Sequence, residues 1–343
     1  MNVTAAFPVT HASQVAEPRR VVQRLASHLQ FPEDRAGRAA LVVSELATNL
    51  AKHAREGEVL LRPLTDSQGE RSGIEIVALD KGPGMPDPER SRRDGYSTTG
   101  TLGHGLGAIA RQSDALDVYS QPSGTAISAV LWRTPRAATI GRLPLEVGAV
   151  HVSKPGELVC GDAWDWRLRE GRLSIFVADG LGHGIPAHEA ADAAVRAFGA
   201  IHEASPSRVI ADVHAALRAT RGAAVAHLAV DLERGIAQYA GLGNISSTVL
   251  LPGGRRQTMV SHNGTAGRSV ARIQEFTYPV PRGATLVLFS DGLATHWDLA
   301  PYPQVERHAP SLTAGVLYRD FSRRRDDVTV IVVREGTPVT DRR

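Results

Sequence analysis

Leu173-Ser-Ile-Phe-Val-Ala-Asp-Gly180 is a short apolar run that ends in an aspartate and a glycine, and Thr285-Leu-Val-Leu-Phe-Ser-Asp-Gly292 repeats the pattern. A third run, Asp326-Asp-Val-Thr-Val-Ile-Val-Val333, carries its aspartates just ahead of the apolar residues. Each run is typical of a buried β-strand, because it is short, rich in branched residues and bounded by glycine or charge. Aspartates at strand ends can meet at one edge of a sheet, and crowded carboxylates repel one another unless a divalent cation compensates them. The pattern therefore predicts a site for a hard metal ion.

The length and composition are those of a globular protein with two domains. The chain has 343 residues, of which 42% are hydrophobic and 22% are charged. The net charge is only +3. Two arginine clusters, Arg90-Ser-Arg-Arg93 and Arg323-Arg-Arg325, come without an aromatic stacking pattern or a DNA-reading motif. We therefore expect solvated loops and no nucleic-acid partner.

Cysteine usage and hydropathy predict the compartment. The single cysteine, Cys160, excludes an intramolecular disulfide and fits a reducing environment. The start of the chain carries no signal-peptide pattern, and no apolar run is long enough to span a bilayer. We expect a cytoplasmic protein without a membrane partner.

Periodicity along the chain divides it into two parts. It predicts helices at 36–54, 106–112, 186–203 and 207–220, and strands at 74–79 and 126–132 in addition to the three runs above. Residues 134–145 lose periodicity and include prolines, so we predict a linker there. The predicted domains are 1–133 and 146–335, with a tail at 336–343.

Three elements of the first part suit a nucleotide. They are Glu45-Leu-Ala-Thr-Asn49 on the first helix, Asp80-Lys-Gly82-Pro-Gly84 after a strand, and Gly100-Thr-Leu-Gly-His-Gly-Leu-Gly107 at the start of the next helix. Glu45 and Asn49 share a helix face, where a base and an amide ligand for Mg²⁺ can act together. Asp80 can accept a hydrogen bond from an adenine amine. The glycines allow backbone N–H groups to surround phosphates.

Each element alone is more often a solvated face, a turn or a loop, but their joint order resembles the GHKL ATPase (HATPase) superfamily. Within it, the chain resembles the branch of small anti-sigma-factor kinases of the RsbW, SpoIIAB and RsbT type, which phosphorylate small STAS-domain antagonist proteins. The resemblance implies a Bergerat α/β sandwich that binds ATP with Mg²⁺. It implies that Glu45 is the catalytic base, Asn49 the Mg²⁺ ligand and Asp80 the adenine reader. It further implies nucleotide contacts from Gly82, Gly84, Gly103, Gly105, Gly107 and, in the late element Ser123-Gly-Thr125, Thr125. His53, in the same helix box, is expected to be structural.

Four acidic stations mark the second part: Asp162, Asp179, Asp291 and the pair Asp326-Asp327. Asp-Gly pairs most often simply end strands as turns, but four stations, two of them with matched strand contexts, favour a metal site. Their hard oxygen ligands suit Mg²⁺ or Mn²⁺, and two ions can clamp a phosphoryl group for in-line attack by an activated water.

The stations resemble those of the SpoIIE-type branch of the metal-dependent PPM serine/threonine phosphatases. Asp179-Gly-Leu-Gly-His-Gly184, Ser290-Asp-Gly-Leu293 and Arg325-Asp-Asp-Val-Thr329 carry the resemblance. It implies a β-sandwich flanked by helices, with metal ligands from Asp162, Asp179, the carbonyl of Gly180, Asp291, Asp326 and Asp327. Thr295 and Gly243-Asn-Ile245 depart from the commoner pattern of the branch. His183 is either a ligand or, as we favour, a residue that stabilises the turn.

The two resemblances together predict a bifunctional regulator with an α+β, two-domain fold. One half phosphorylates a STAS-domain protein of a partner-switching or stressosome pathway, and the other half removes phosphate from serine or threonine. The pathway controls a sigma factor or another signalling output. The alternative is a phosphatase whose first domain only senses nucleotide or binds a partner. Relatives of the kinase module often pair, so the resemblance also allows a homodimer.

Overall fold

The computed structural model describes residues 4–65, 72–88, 105–135, 145–202 and 205–336. Its contacts divide the chain into two units. The first unit contains the described residues up to 135 together with Pro301–Arg319, and the second contains 145–300 and 320–336. The predicted domain ranges did not anticipate that Pro301–Arg319 belongs to the first unit. The two units are described separately below.

The first unit is built on one antiparallel sheet of five strands in the order β1-β2-β3-β5-β4. The strands are β1 (Ala5–Pro8), β2 (Glu58–Thr65), β3 (Ser72–Leu79), β4 (Ala115–Gln121) and β5 (Gly124–Trp132). The helices that precede or interrupt them are α1 (Ala16–His28), α2 (Glu33–His53) and α3 (Leu106–Gln112). The predicted strands at 74–79 and 126–132 are therefore confirmed, each with two additional residues at its start.

Alternation along β3 shows how the sheet of the first unit is covered. Ile74, Ile76 and Ala78 point into a core that they share with α1, α2 and α3. The intervening Val77 and Leu79 are also buried, on the opposite face. That face carries the helix α6 (Pro310–Phe321), whose residues up to Arg319 belong to this unit. The sheet is thus buried on both sides.

Helix α2 follows from its sequence. Its buried residues recur at the spacing of one helical face: Ala39, Val42, Val43, Leu46, Ala47 and Leu50. Glu33 and Asp34 lie in the first turn, and Lys52 and His53 lie in the last, where each charge complements the helix dipole. The helix begins at Glu33, directly after Pro32 and three residues before the predicted start at 36.

The second unit is a sandwich of two antiparallel five-stranded sheets, in the orders β13-β10-β9-β8-β7 and β12-β11-β14-β15-β6. Its strands are β6 (Leu145–Val152), β7 (Asp162–Arg169), β8 (Arg172–Gly180), β9 (Ala223–Asp231), β10 (Ile236–Leu242), β11 (Ser246–Leu250), β12 (Arg256–Thr258), β13 (Phe276–Pro279), β14 (Thr285–Phe289) and β15 (Val328–Glu335). Leu145, which was predicted to end the linker, instead begins β6. The rest of the predicted linker from 136 onward, and the tail from 337, lie outside the described residues.

The sandwich core and its helical cover again follow from alternation. Leu173, Ile175 and Val177 of β8 face the second sheet, where they meet residues such as Ile331 of β15. Phe176 and Ala178 face outward. They are covered by α4 (Ile185–Ala200) and α5 (Pro206–Ala216), which correspond to the helices predicted at 186–203 and 207–220.

The architecture confirms the predicted fold class of two α+β domains: an α/β sandwich followed by a β-sandwich flanked by helices. Within the described ranges, no helix combines the length and the apolar composition needed to cross a bilayer.

Candidate functional sites

The predicted base and its companion lie on α2. Glu45 and Asn49 are both half-buried and one helical turn apart, so their side chains leave the helix on the same side. The carboxyl end of this helix meets the loop after β3, because the amide of Lys81 donates to the carbonyl of Arg55 at 2.8 Å. The structure thus brings the carboxyl end of α2 and the Asp80 loop together.

Asp80 lies directly after β3 in a loop fixed by its own carboxylate. Its Oδ1 accepts hydrogen bonds from the backbone amides of Gly82 at 2.6 Å and Thr125 at 3.3 Å. Burial, the largest influence, raises the pKa of the Asp80 carboxyl, while these two amides and the charge of Arg319 oppose the rise. Both bonds use Oδ1, and Oδ2 takes part in neither.

The late element predicted at Thr125 lies beside Asp80. The backbone amide of each of these two residues donates to the carbonyl of the other, at 2.9 Å and 3.2 Å. The hydroxyl of Thr125 lies 3.0 Å from that of Ser120, which accepts a bond from the amide of Met85. Gly84 has a φ of +73°, which a residue with a side chain rarely adopts. The Gly82–Gly84 segment is therefore held between Asp80 and β4.

The predicted phosphate loop is only partly described. Gly105 is the residue before α3 and Gly107 is buried within its first turn. Gly103 lies outside the described residues, together with the rest of 89–104. His53 has an exposed side chain at the end of α2.

In the second unit, Asp162 begins β7 and is the most buried of the predicted metal ligands, with 2% of its surface exposed. Its Oδ2 accepts hydrogen bonds from the hydroxyls of Ser290 at 2.6 Å and Thr329 at 2.7 Å. Burial raises the pKa of Asp162 to about 7; the two hydroxyls oppose this rise, and the charges of neighbouring aspartates add to it.

Asp179 and Gly180 end β8, where Asp179 is the cross-strand partner of Asp162. Burial raises the pKa of Asp179 to about 9, and four further aspartates contribute to the rise: Asp162, Asp291, Asp326 and Asp327. The sheet register places Asp162 beside Asp179, and the charges of the other three aspartates act on Asp179 from the loops of the second sheet. A side chain at position 180 would collide with the carbonyl of Ala187, so the end of β8 can pack this closely against α4 only with glycine there.

The remaining aspartates lie on loops of the second sheet. Asp291 follows β14, and its Oδ2 accepts a bond from Asn244 Nδ2 at 2.7 Å. Asp327 precedes β15; its Oδ1 accepts a bond from the amide of Lys154 at 2.9 Å, and its own amide donates to Asp326 Oδ1 at 3.0 Å. Burial raises the pKa of Asp291, and the charge of Asp326 adds to the rise.

These loops border an open cleft of about 580 Å³. Three of the predicted ligands line it: Asp179, Asp291 and Asp326. Lys154, His183 and Asn244 also line it. His183 Nδ1 lies 2.7 Å from Glu157 Oε1, a contact that ties two loops of the cleft wall together.

The donor set fits a hard divalent cation. The raised pKa values of Asp162 and Asp179 mean that the ionised forms of these carboxylates are destabilised in the folded protein, and a bound cation removes this destabilisation. Mg²⁺ and Mn²⁺ prefer such oxygen ligands. The acidic stations of the two sheets would hold the ions.

A cysteine and a histidine lie beside Asp162, which the sequence did not predict. Ligand atoms of His151, Cys160 and Asp162 fall within 4.8 Å of one another. Burial, with the charges of Asp162 and Asp327, raises the pKa of the Cys160 thiol. The thiol therefore stays neutral and is a poor metal ligand, since metals bind the thiolate. His151 Nδ1 lies 2.9 Å from Thr329 Oγ1, and Thr329 donates to Asp162. His151 therefore contacts a hydrogen-bond partner of Asp162.

Sequence reasoning missed the groups that hold the aspartates. Ser290 directly precedes Asp291, and Thr329 follows Asp327 by two residues, so both lie inside the quoted motifs. Their position in these motifs could have indicated their role. Asn244 was noted only as a departure from the commoner motif, although it bonds to Asp291. Thr295, the other departure, is exposed.

Comparison with known proteins identifies both halves of the chain. Residues 7–131 match the family described as histidine kinase-like ATPase domain, and residues 169–335 match the family described as stage II sporulation protein E (SpoIIE). The serine/threonine-protein kinase RsbT of Bacillus subtilis (strain 168) is 32% identical over 133 residues, which are 38% of this chain and 98% of RsbT.

Two solved structures resemble the protein over just more than half of its length. One is described as "The bacterial stressosome: a modular system that has been adapted to control secondary messenger signaling"; it is 31% identical, with a TM-score of 0.52 and coverage of 55% of this chain and 99% of that one. The other is RsbX in complex with magnesium, which is 22% identical, with a TM-score of 0.51 and coverage of 56% and 96%. The second likeness concerns the fold alone. The chain belongs to the histidine kinase-like ATPase family through an RsbT-like amino-terminal domain, and it joins this domain to a SpoIIE domain with the PPM-type phosphatase fold.

Proposed function

We propose that the protein is a bifunctional regulator that removes phosphate from serine or threonine of a STAS-domain protein and also phosphorylates such a protein with ATP. The collection of carboxylates around Asp179 carries the phosphatase half of the proposal. The RsbT relative, a serine/threonine-protein kinase, supports the kinase half. The structure described as a stressosome component supports a partner-switching or stressosome pathway. Its output would be a sigma factor or a second-messenger enzyme.

In the phosphatase domain, the protein's own contribution is a rigid, acidic cleft. Mg²⁺ or Mn²⁺, when bound, supplies Lewis acidity toward the phosphoryl oxygens and activates a water. Asp162 and Asp179 are fixed by strand pairing, whereas Asp291 is oriented by Asn244. Because these three carboxylates are already held in place, they need not move during the reaction. The exposed opening between the loops leaves room for a phosphorylated side chain.

In the kinase domain, Glu45 would accept a proton from the attacking serine or threonine hydroxyl. Asn49, one turn later, would hold Mg²⁺ beside the phosphates, and Asp80 with Thr125 would bind adenine. The glycines Gly82, Gly84, Gly105 and Gly107 allow close approach of backbone to nucleotide.

The proposal is tested with a candidate STAS-domain protein and two matched variants. Glu45→Ala should lower phosphate transfer from ATP to that protein by about 10²-fold or more, since a positioned base contributes this much, and should leave dephosphorylation unchanged. Asp291→Asn should do the reverse, because it removes a carboxylate from the metal site. If wild-type protein with Mn²⁺ hydrolyses neither an aryl phosphate nor the phosphorylated STAS protein, the phosphatase assignment is wrong.

The same experiment separates a kinase from a nucleotide sensor. Phosphate transfer that depends on Glu45 supports the kinase. ATP binding without transfer to any STAS-domain protein from the same cells would instead make the first domain a sensor that regulates the phosphatase. Size-exclusion chromatography with light scattering tests whether the protein is a homodimer, as we infer from the common pairing of kinases of this type.

A further inference from the structure

In the sequence, helix α6 lies between Asp291 and the Asp326-Asp327 pair. In the structure, its residues up to Arg319 belong to the first unit. The helix covers the face of the sheet opposite to α2. Gly315 marks a close approach to the sheet, because a Cβ atom there would lie 2.9 Å from a methyl group of Leu79. A stretch outside residues 7–131, the range that matches the ATPase family, therefore completes the first unit.

Hydrogen bonds fix the helix at both of its ends. At its start, the amide of Ala309 donates to Asp117 Oδ2 at 2.5 Å, and His308 Nδ1 lies 2.9 Å from Asp117 Oδ1. Near its end, the hydroxyl of Tyr318 donates to Glu58 Oε1 at 3.1 Å. These buried or half-buried polar contacts fix where α6 lies along the sheet, and breaking them costs free energy.

Arg319, the residue after Tyr318, reaches the backbone of the loop that reads adenine. Its Nη1 donates to the carbonyl oxygen of Asp80 at 2.8 Å and lies 3.4 Å from that of Thr125. The Arg319 side chain is buried, with 5% of the residue exposed. Gly124 makes room for it, since a Cβ atom at that position would lie 2.6 Å from Nη1. A guanidinium suits this place because its planar donors can bridge two carbonyls and keep their charge.

The two carbonyls belong to the residues whose other groups form the adenine end of the proposed site. Asp80 and Thr125 also exchange backbone hydrogen bonds with each other. Arg319 therefore contacts two residues that are already bonded to one another. Loss of the guanidinium would leave two partly desolvated carbonyls without this donor and would let the loop shift.

We propose that Arg319 is a positioning residue for adenine recognition: from helix α6 it fixes the backbone of Asp80 and Thr125, and thereby the carboxylate that accepts the adenine amine. The inference rests on the proposed nucleotide site. It means that the nucleotide specificity of the first domain depends on a residue supplied by the region between the Asp291 and Asp326-Asp327 motifs.

The test compares binding of ATP with binding of inosine triphosphate, which carries an oxygen where adenine carries its amine. The measurement is calorimetric titration of each nucleotide, with Mg²⁺, into the full chain. Wild-type protein should prefer ATP by about tenfold or more, because an acceptor facing Asp80 leaves the carboxylate without its partner. Arg319→Gln should reduce this preference to about threefold or less, chiefly through weaker ATP binding, while binding of inosine triphosphate changes little. Arg319→Lys should recover part of the preference, since an ammonium can donate to one of the carbonyls.

Tyr318→Phe is the matched control, because it removes a contact of the same helix with Glu58 and leaves Arg319 in place. It should keep the ATP preference of the wild type. A purely structural role for Arg319 predicts equal losses for both nucleotides and overturns the inference, as does an Arg319→Gln variant with unchanged ATP preference. If Arg319→Gln does not fold, the Arg319→Lys variant decides by the same preference. Absence of nucleotide binding, or of any preference, in the wild type would instead overturn the proposed nucleotide site itself.

Discussion

Asp162 and Asp179 are direct cross-strand partners on β7 and β8, so their side chains project from the same face of the sheet. Burial is the main reason why their pKa values rise, to about 7 for Asp162 and about 9 for Asp179. The ordinary value for both is 3.8. Without a cation, the folded state therefore holds protons that the unfolded state releases, and stability falls as pH rises from about 4 to about 9.

Because a cation must displace these protons, Mn²⁺ affinity should increase with pH. We expect it to increase by about tenfold per pH unit for each proton displaced, between about pH 6 and pH 8. Calorimetric titration of the metal-free protein at several pH values measures this slope. Asp179→Asn removes one of the two groups and should flatten it. An affinity of the wild type that does not change with pH would contradict the assignment of these aspartates as ligands.

Asn244 should control the metal site through Asp291. Its side-chain amide donates to Asp291 Oδ2 at 2.7 Å, and such groups outside the ligand set orient the ligands. Asn244→Ala should weaken Mn²⁺ activation of aryl-phosphate hydrolysis by about 10- to 100-fold, the usual effect of losing such a partner. The measurement is the Mn²⁺ concentration that gives half-maximal rate.

The control for this variant is Asn263→Ala, because Asn263 lines the same cleft and is likewise exposed. It should have little effect on the Mn²⁺ dependence. Equal effects of the two substitutions would show that general polarity of the cleft matters and the bond to Asp291 does not.

The strands that carry the site could be predicted, because buried β-strands have a local signature that the runs ending at Asp179 and Asp291 display. The register between Asp162 and Asp179 was not predicted, although it is set locally by the two-residue turn Glu170-Gly171 that joins β7 to β8. The strand β7 lacks the continuous apolar run by which the other strands were found. The position of α6 shows a different limit. Its sequence predicts no partner, and only its contacts with Asp117, Glu58 and Asp80 assign it to the first unit.

Thr329 should stabilise the folded protein through its hydroxyl, which donates to the buried Asp162 at 2.7 Å. Thr329→Val keeps the shape of the side chain and removes this donor, so it should lower the free energy of unfolding by about 1–3 kcal/mol. Urea denaturation without metal measures the change. Thr248→Val is a matched control, because the Thr248 hydroxyl is buried without a hydrogen-bond partner among the described residues. The same substitution there should be neutral or stabilising, and equal losses at both positions would contradict the role of the bond to Asp162.

His227 should make the protein sensitive to acid. It is 1% exposed on β9, its Nε2 lies 2.6 Å from Ser174 Oγ, and burial, with the charge of Arg167, lowers its pKa to about 3. Because the unfolded histidine keeps a pKa near 6.5, the unfolded state binds the extra proton between these values. The stability contributed by the neutral ring is complete above about pH 6.5 and falls by up to about 1.4 kcal/mol per pH unit below it. His227→Gln removes this proton uptake. The free energy of unfolding of the variant, relative to that of the wild type, should therefore rise as the pH is lowered from about 6.5 to about 4.5. Parallel urea-denaturation curves at those two pH values measure the difference, and a constant gap between variant and wild type would contradict the burial of a neutral His227.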